Sequence, residues 1–231
     1  MKNLLVSLLF LTSITLVAAQ EQSLPYDYRT TEQTTNFSVQ AGINLANLTE
    51  GQDFQNRIGM NAALLASFKF SNPKFSFTTG LSYSQLGAKR NGSFPNPADG
   101  PNIDYEATLQ LDYLVVPLLV EYEVIPNYSI FLGPQVGFLI DNSEKYELVE
   151  DAFGTTGQNF ELEPENIQKS YLSITLGAKA FLYSNFFIKA QYEVGLYDIF
   201  KDEQFPQDAG RTFSFDNFRH SVLTATLGYQ L

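Results

Sequence analysis

Apolar and polar residues alternate with period two along most of the chain. In Phe37-Ser38-Val39-Gln40-Ala41-Gly42-Ile43-Asn44-Leu45 every odd position is apolar and every even one small or polar, which marks a half-buried strand. From Ile58 to Phe70 the pattern repeats, with Ile58, Met60, Ala62, Leu64, Ala66, Phe68 and Phe70 on one face. Phe75, Phe77, Thr79, Leu81 and Tyr83 form the apolar face of a third strand. A fourth, from about Asp104 to Val124, sets Leu114, Val116, Leu118, Val120 and Tyr122 against Tyr113, Val115, Pro117, Leu119 and Glu121. Pro117 cannot donate to a ladder, so a bulge or weakened pairing is expected there. Further strands run through Ile130–Phe138, Leu172–Leu182, Phe186–Leu196 and Phe218–Leu231. The count is eight.

Short turns are expected at 71–73, 124–128 and 183–185, and long polar loops at 46–57, 88–103, 141–169 and 198–217. Long and short alternate, which puts the four long loops at one end and both termini at the other. The pattern predicts an all-β fold: an eight-stranded, antiparallel, up-and-down transmembrane β-barrel with short periplasmic turns and long outer loops.

Alternation does not say which face points outward; composition does. Only 17% of residues are charged, and the polar faces are mostly Gly, Ser, Thr, Asn and Gln. Small groups suit the narrow lumen of an eight-stranded barrel, whereas a water-facing wall would carry more Lys and Glu. The apolar set then faces lipid, where no backbone group can stay unpaired and the sheet must close. Tyr83, Tyr122, Tyr128, Tyr171, Tyr183 and Tyr229 are expected in the interfacial girdles. Asp112 falls on the lipid face by parity. At ~3.3 Å per residue and ~40° tilt it sits roughly 35 Å above the turn at Pro126, beyond the ~25 Å apolar band. The fourth strand should therefore project outward, with residue 112 open to a label from outside the cell.

Lys2, the apolar run Leu4–Val17 and the small residues Val17-Ala18-Ala19 predict a signal peptide over 1–19, cleaved before Gln20. The run is shorter than the ~20 residues that span a bilayer. Polar residues 20–35 read as a flexible lead-in, and 36–231 as the barrel domain. A net charge of -11 argues against nucleic acid, and the absence of Cys excludes disulfides, zinc–thiolate sites and thiol catalysis. One His excludes His-based metal cages, and no cofactor is expected.

Two groups could carry chemistry. His220, flanked by Arg219 and Ser221 with Asp216 upstream, could form a nucleophile–base pair at the outer rim. A surface or lumen histidine explains it better, and no catalytic residue is assigned. Lys69, Lys179, Lys189, Glu121, Glu123 and Glu193 share the polar face toward the periplasmic end. They are expected to form a lumen charge network that plugs the barrel, unless some simply hydrate at the mouth. The acids Asp141, Glu144, Glu147, Glu150, Asp151, Glu161, Glu163 and Glu165 fit no calcium-loop spacing and read as a solvated acidic loop.

Phe37 to Asn47, Tyr113-Leu114-Val115-Val116-Pro117-Leu118-Leu119-Val120, Gly133-Pro134-Gln135-Val136-Gly137 and Tyr192-Glu193-Val194-Gly195-Leu196 resemble the outer-membrane β-barrel (porin) family that includes the PorT-like proteins of Bacteroidota. Such barrels often end in Phe, where this chain has Leu231. The resemblance implies a small outer-membrane barrel, and its PorT-like branch is linked to protein secretion across the outer membrane and to gliding. The expected partners are outer-membrane lipid and lipopolysaccharide, the barrel-assembly machinery during insertion, and a secretion-system or surface protein. The chain is expected to be monomeric and non-enzymatic, with a structural, surface-interaction or secretion-associated role. The alternatives are a narrow passive pore and a rim-site enzyme modifying lipid or peptide.

Overall fold

The computed structural model describes residues 35–49, 54–94, 103–148, 160–162, 167–183, 185–199 and 219–231. The predicted signal peptide and nearly all of the lead-in lie outside the described residues, as do Glu150, Asp151, Glu163, Glu165 and Asp216. The strands are β1 (Thr35–Leu48), β2 (Phe54–Lys69), β3 (Phe75–Phe94), β4 (Ile103–Ile125), β5 (Tyr128–Leu148), β6 (Phe160–Leu162), β7 (Ser170–Tyr183), β8 (Phe186–Gly195) and β9 (His220–Gln230). Neighbours pair antiparallel in the order β4-β3-β2-β1-β9-β8-β7-β5, and β4 also pairs with β5. The ladder Ser38↔Gln230 to Leu48↔His220 joins first strand to last. Eight strands thus form a closed hydrogen-bonded ring, with β6 added outside it on β5 alone.

Closure satisfies the backbone, and alternation decides what each wall shows. Along β9 the pattern of covered and open residues follows period two. Outward stand large apolar side chains, among them Ile58 at 70% exposure, Leu64 at 65% and Leu176 at 58%. Such a continuous apolar belt has no place in water. Inward stand Gln40, Asn44, Asn61, Ser82, Ser84, Thr175 and Thr224, all buried. Three inward glycines make beds for rings: a Cβ at Gly137, Gly177 or Gly228 would collide with Tyr171, Phe131 or Phe187 respectively.

The turns follow from local chemistry. Asn127 takes a left-handed φ of 71° in the two-residue link between β4 and β5, a conformation asparagine tolerates well. Between β2 and β3, Asn72 accepts from the Lys74 amide through its side chain and from the Phe75 amide through its carbonyl. Pro117 does interrupt pairing: the β3–β4 ladder skips Val116 and Pro117 and resumes in the same register, so no bulge forms there.

Three strands outgrow the membrane. At ~3.3 Å per residue and ~40° tilt, the 10 residues of β8 rise about 25 Å, the height of the apolar band. The 20 to 23 residues of β3, β4 and β5 rise about twice that. The expected loops at 88–103 and 141–169 therefore begin as strand, and Asp141, Glu144 and Glu147 belong to β5. Register explains why the pattern hid this. Tyr113 pairs with Leu139 but Asp112 pairs with Asp141, which leaves Ile140 as an extra residue. Beyond it, Glu144 and Tyr146 oppose the inward Leu109 and Ala107, while Asp141, Lys145 and Glu147 are exposed.

Candidate functional site

The lumen is built in three layers. Toward the periplasmic turns, Lys179 Nζ meets Glu121 Oε1 at 2.5 Å, and Ser129 donates to the same oxygen. Lys189 is buried with its ammonium 4.5 Å from the centre of the Phe131 ring. Gln135 donates to Glu193 at 3.4 Å and to Thr175. Lys69 and Glu123 lie nearer the periplasmic end, sharing a cavity with Glu121 and Lys179. That cavity, of about 170 Å³ at the periplasmic mouth, is also lined by Lys74 and Asn127. Of the six residues singled out from sequence, Lys179 and Glu121 form a direct ion pair, Lys189 and Glu193 are buried near it, and Lys69 and Glu123 line the mouth. Tilt and stagger of the strands put groups of equal count from the turns at different positions around the ring.

A smaller cavity of about 20 Å³ lies among Gln40, Glu121, Lys179 and Lys189. That is room for about one water molecule. Above it comes a layer of amides and hydroxyls. Asn44 donates to Ser84 Oγ at 2.8 Å and accepts from Thr224 at 2.8 Å, and Asn61 donates to Ser82 at 3.1 Å. These bonds tie β1 to β3 and β9, and β2 to β3.

The outer half of the lumen is apolar. Ala46, Leu48, Leu86, Ala88, Leu109, Leu111, Tyr113, Val115, Tyr171 and Val222 cluster with Ile167 and Ile199, all buried. Ile167 precedes β7 and Ile199 follows β8, and Gln168 N donates to Ile199 O at 2.7 Å. Two side chains from outside the ring therefore cap the mouth. A sign of this plug was present in the sequence: between Tyr113 and Val120 both parities of β4 are apolar, which a strand with a polar lumen face would not show. Ile167 and Ile199 carry no such signal.

His220 is fully buried in that plug. Its ring lies 5.5 Å from Tyr113 and 5.2 Å from Tyr171, and neither ring nitrogen has a hydrogen-bond partner. The Ser221 hydroxyl is within 2.9 Å of the Tyr192 hydroxyl, and Asp198 faces Arg219 at 3.7 Å. No serine–histidine–acid arrangement forms among the described residues, nor does any group of three or more His, Asp or Glu suited to a metal. Tyr171 is a lumen residue, not a girdle one: its parity on β7 is inward and Gly137 receives its ring.

Asp112 also departs from expectation. It stands beyond Leu114 on the outward wall, as its parity requires, but is only 8% exposed. Tyr83 donates to it at 2.7 Å and Gln110 at 3.2 Å. Arg57, re-aimed by a register shift between Asn56 and Asn61 on β2, donates to Leu86 O and Gln110 Oε1, each at 2.9 Å. The result is a polar clasp across β2, β3 and β4, so residue 112 is covered rather than open to a label. Farther out, Lys89 pairs with Glu106 at 2.5 Å and Arg90 with Glu144 at 3.6 Å. Within the acidic stretch Glu144 is thus held in an ion pair, while Asp141 and Glu147 are exposed. Burial, reinforced by Glu144, pushes the Tyr146 phenol up to about 12 in this sheet above the apolar band.

A closed ring with an apolar outer wall is what a lipid-embedded barrel must be. The family model described as outer membrane protein beta-barrel domain matches residues 18–201, well over half of the chain. The chain belongs to that family. It is an outer-membrane β-barrel protein, located in the bacterial outer membrane. Among solved structures, this barrel is similar to Ail of Yersinia pestis in complex with the heparin analogue sucrose octasulfate. That match has 17% identity and a TM-score of 0.42, over 85% of this chain and 99% of that one. It is also similar to neisserial surface protein A, at 14% identity and a TM-score of 0.44 over 85% and 99%. A de novo designed transmembrane β-barrel matches at 10% identity and a TM-score of 0.35 over 85% and 95%. No curated protein matches the chain.

Proposed function

We propose that this outer-membrane barrel is non-enzymatic and PorT-like: a sealed anchor that holds the outer sheet of β3, β4, β5 and β6, with its loops, for a surface or secretion partner. The observation that carries the reading is the apolar plug across the outer lumen, backed by the Lys179–Glu121 pair below it. A cylinder closed at that point serves poorly as a pore, while three of its strands run far past the lipid. The surroundings of His220 count against a rim enzyme, since neither ring nitrogen has a hydrogen-bond partner among the described residues. Lipid and lipopolysaccharide would cover the apolar belt, the assembly machinery would insert the chain, and one copy suffices to close the ring.

Planar-bilayer recording of the purified protein tests the sealed anchor. No stable unitary conductance is expected at neutral pH, and a large one would restore the passive pore. The docking surface is tested by cross-linkers placed in intact cells on Asp141→Cys, in the outer sheet, and on Asn72→Cys, at a periplasmic turn. Adducts from residue 141 are expected; adducts from residue 72 alone would move the working face to the periplasm.

A further inference from the structure

We infer that the periplasmic mouth of the barrel is a docking site for an acidic peptide segment of a periplasmic partner, which seats a Glu or Asp side chain among Lys69, Lys74 and Lys179. This contact is separate from the outer docking face proposed above and goes beyond it.

The site is a vestibule built from two cavities, of about 170 and 20 Å³, that share Ser67, Glu121 and Lys179 as walls. Among the described residues, Lys69, Lys74, Lys179 and Lys189 line it against two carboxylates, Glu121 and Glu123. Glu193 belongs to the layer above, with Gln135. Four lysines against two glutamates leave an excess of two positive charges, in a chain whose net charge is -11. The chain as a whole repels an acidic partner; the vestibule attracts one.

Strand register creates both the excess and the space. Lys179 and Lys189 stand directly opposite each other across β7 and β8, an unfavourable pairing of like charges. Glu121 relieves only one of them. It binds Lys179 at 2.5 Å, while the ammonium of the buried Lys189 lies over the Phe131 ring. Nearer the opening, the small residues Ser76 and Ser129 sit opposite Lys69 and Glu123 and leave room between longer side chains. Among the described residues Lys69, Lys74 and Glu123 form no ion pair, and both of these lysines are exposed. A carboxylate entering the larger cavity can accept charge-assisted hydrogen bonds from them. A space of that size holds a group of about the bulk of benzene, enough for one acidic side chain with water. The rim adds the amides of Asn36, Asn127 and Gln230, each able to donate to and accept from a peptide backbone. Those amides favour a peptide segment over a free anion.

The test is titration of the purified protein in detergent, at low salt, with two labelled peptides: Gly-Ser-Glu-Glu-Ser-Gly and its counterpart with Gln for Glu. Fluorescence anisotropy reads the binding. The glutamate peptide should bind and the glutamine peptide should not. Lys69→Gln and Lys74→Gln should each weaken binding about tenfold, the loss of one charge-assisted hydrogen bond, and Lys69→Arg should retain it. Glu123→Gln removes a competing carboxylate and should tighten binding. Lys169→Gln makes the same charge change before β7, at the outer end, and should leave the affinity unaltered. Folding of each variant is checked by its strand signal in circular dichroism. Equal binding of the two peptides overturns the site, as does full binding by Lys69→Gln and Lys74→Gln or an equal loss in Lys169→Gln. Acetate that binds as tightly as the glutamate peptide overturns the partner segment, because the mouth then holds a free anion. Cross-linking at residue 141 reads the outer face independently, so failure of either proposal leaves the other standing.

Discussion

At the scale of single residues, the interior is held by a few side chains whose removal has unequal effects. Lys179 and Glu121 are both largely buried, with side-chain exposures of 15% and 13%. Lys179→Met leaves a carboxylate without its cation and should destabilise the barrel by about 3 kcal/mol or more. Adding Glu121→Leu should recover most of that loss, and denaturant unfolding in lipid vesicles measures both. The glycine beds are as demanding. Gly228→Val puts methyl groups where the Phe187 ring lies, an overpacking worth about 1–3 kcal/mol. Trimming the ring as well, in Gly228→Val with Phe187→Leu, should restore part of the stability. The pairing of Lys179 with Glu121 was not legible beforehand. Parity placed both in the lumen, but only the stagger of the ring selects which cation reaches which anion.

At the scale of elements, the outer sheet is the least legible part and the most consequential. Within the membrane, lipid forces every outward residue to be apolar, and the alternation stands out. Above it both faces of β3, β4 and β5 meet water or one another, and residues such as Asp141, Ser143 and Lys145 no longer alternate with greasy neighbours. The extra residue at Ile140 shifts the parity once more. With no native Cys in the chain, accessibility is easy to probe. Asp141→Cys should react quickly with a membrane-impermeant maleimide on intact cells, and Asp112→Cys slowly under Tyr83. Equal rates would mean that the clasp is open. Tyr146 supplies a pH test. Its phenol is raised from about 10 to about 12, so its contribution is complete below pH 10 and lost as pH rises through 12. Hydrogen exchange along the outer part of β5 should accelerate over that interval while β8 stays protected.

At the scale of the whole molecule, one requirement explains the fold: backbone groups in hydrocarbon have no water to bond. The chain answers by pairing β1 with β9 and turning its apolar residues outward. Removed from detergent or lipid, the purified barrel should lose its monodispersity, as light scattering would register. A folded monomer in plain buffer would place the apolar set inside and reverse the assignment of the two faces. The plug bears on the same scale, because it joins residues from β1, β3, β4, β7 and β9 with two from outside the ring.

The amino-acid sequence alone determined the number of ring strands, the side of each that meets lipid, the end that carries the long connections and the membrane that receives the chain. These are local properties: period two along a strand and the spacing of turns survive without knowledge of any distant neighbour. Tertiary structure alone decided the clasp over Asp112, the inward turn of Tyr171, the cap of Ile167 and Ile199 and the isolation of His220. Each depends on residues far apart in the chain, as Asn44 and Thr224 are, 180 positions apart. Their meeting is set by register, stagger and closure of the ring, which no single strand encodes.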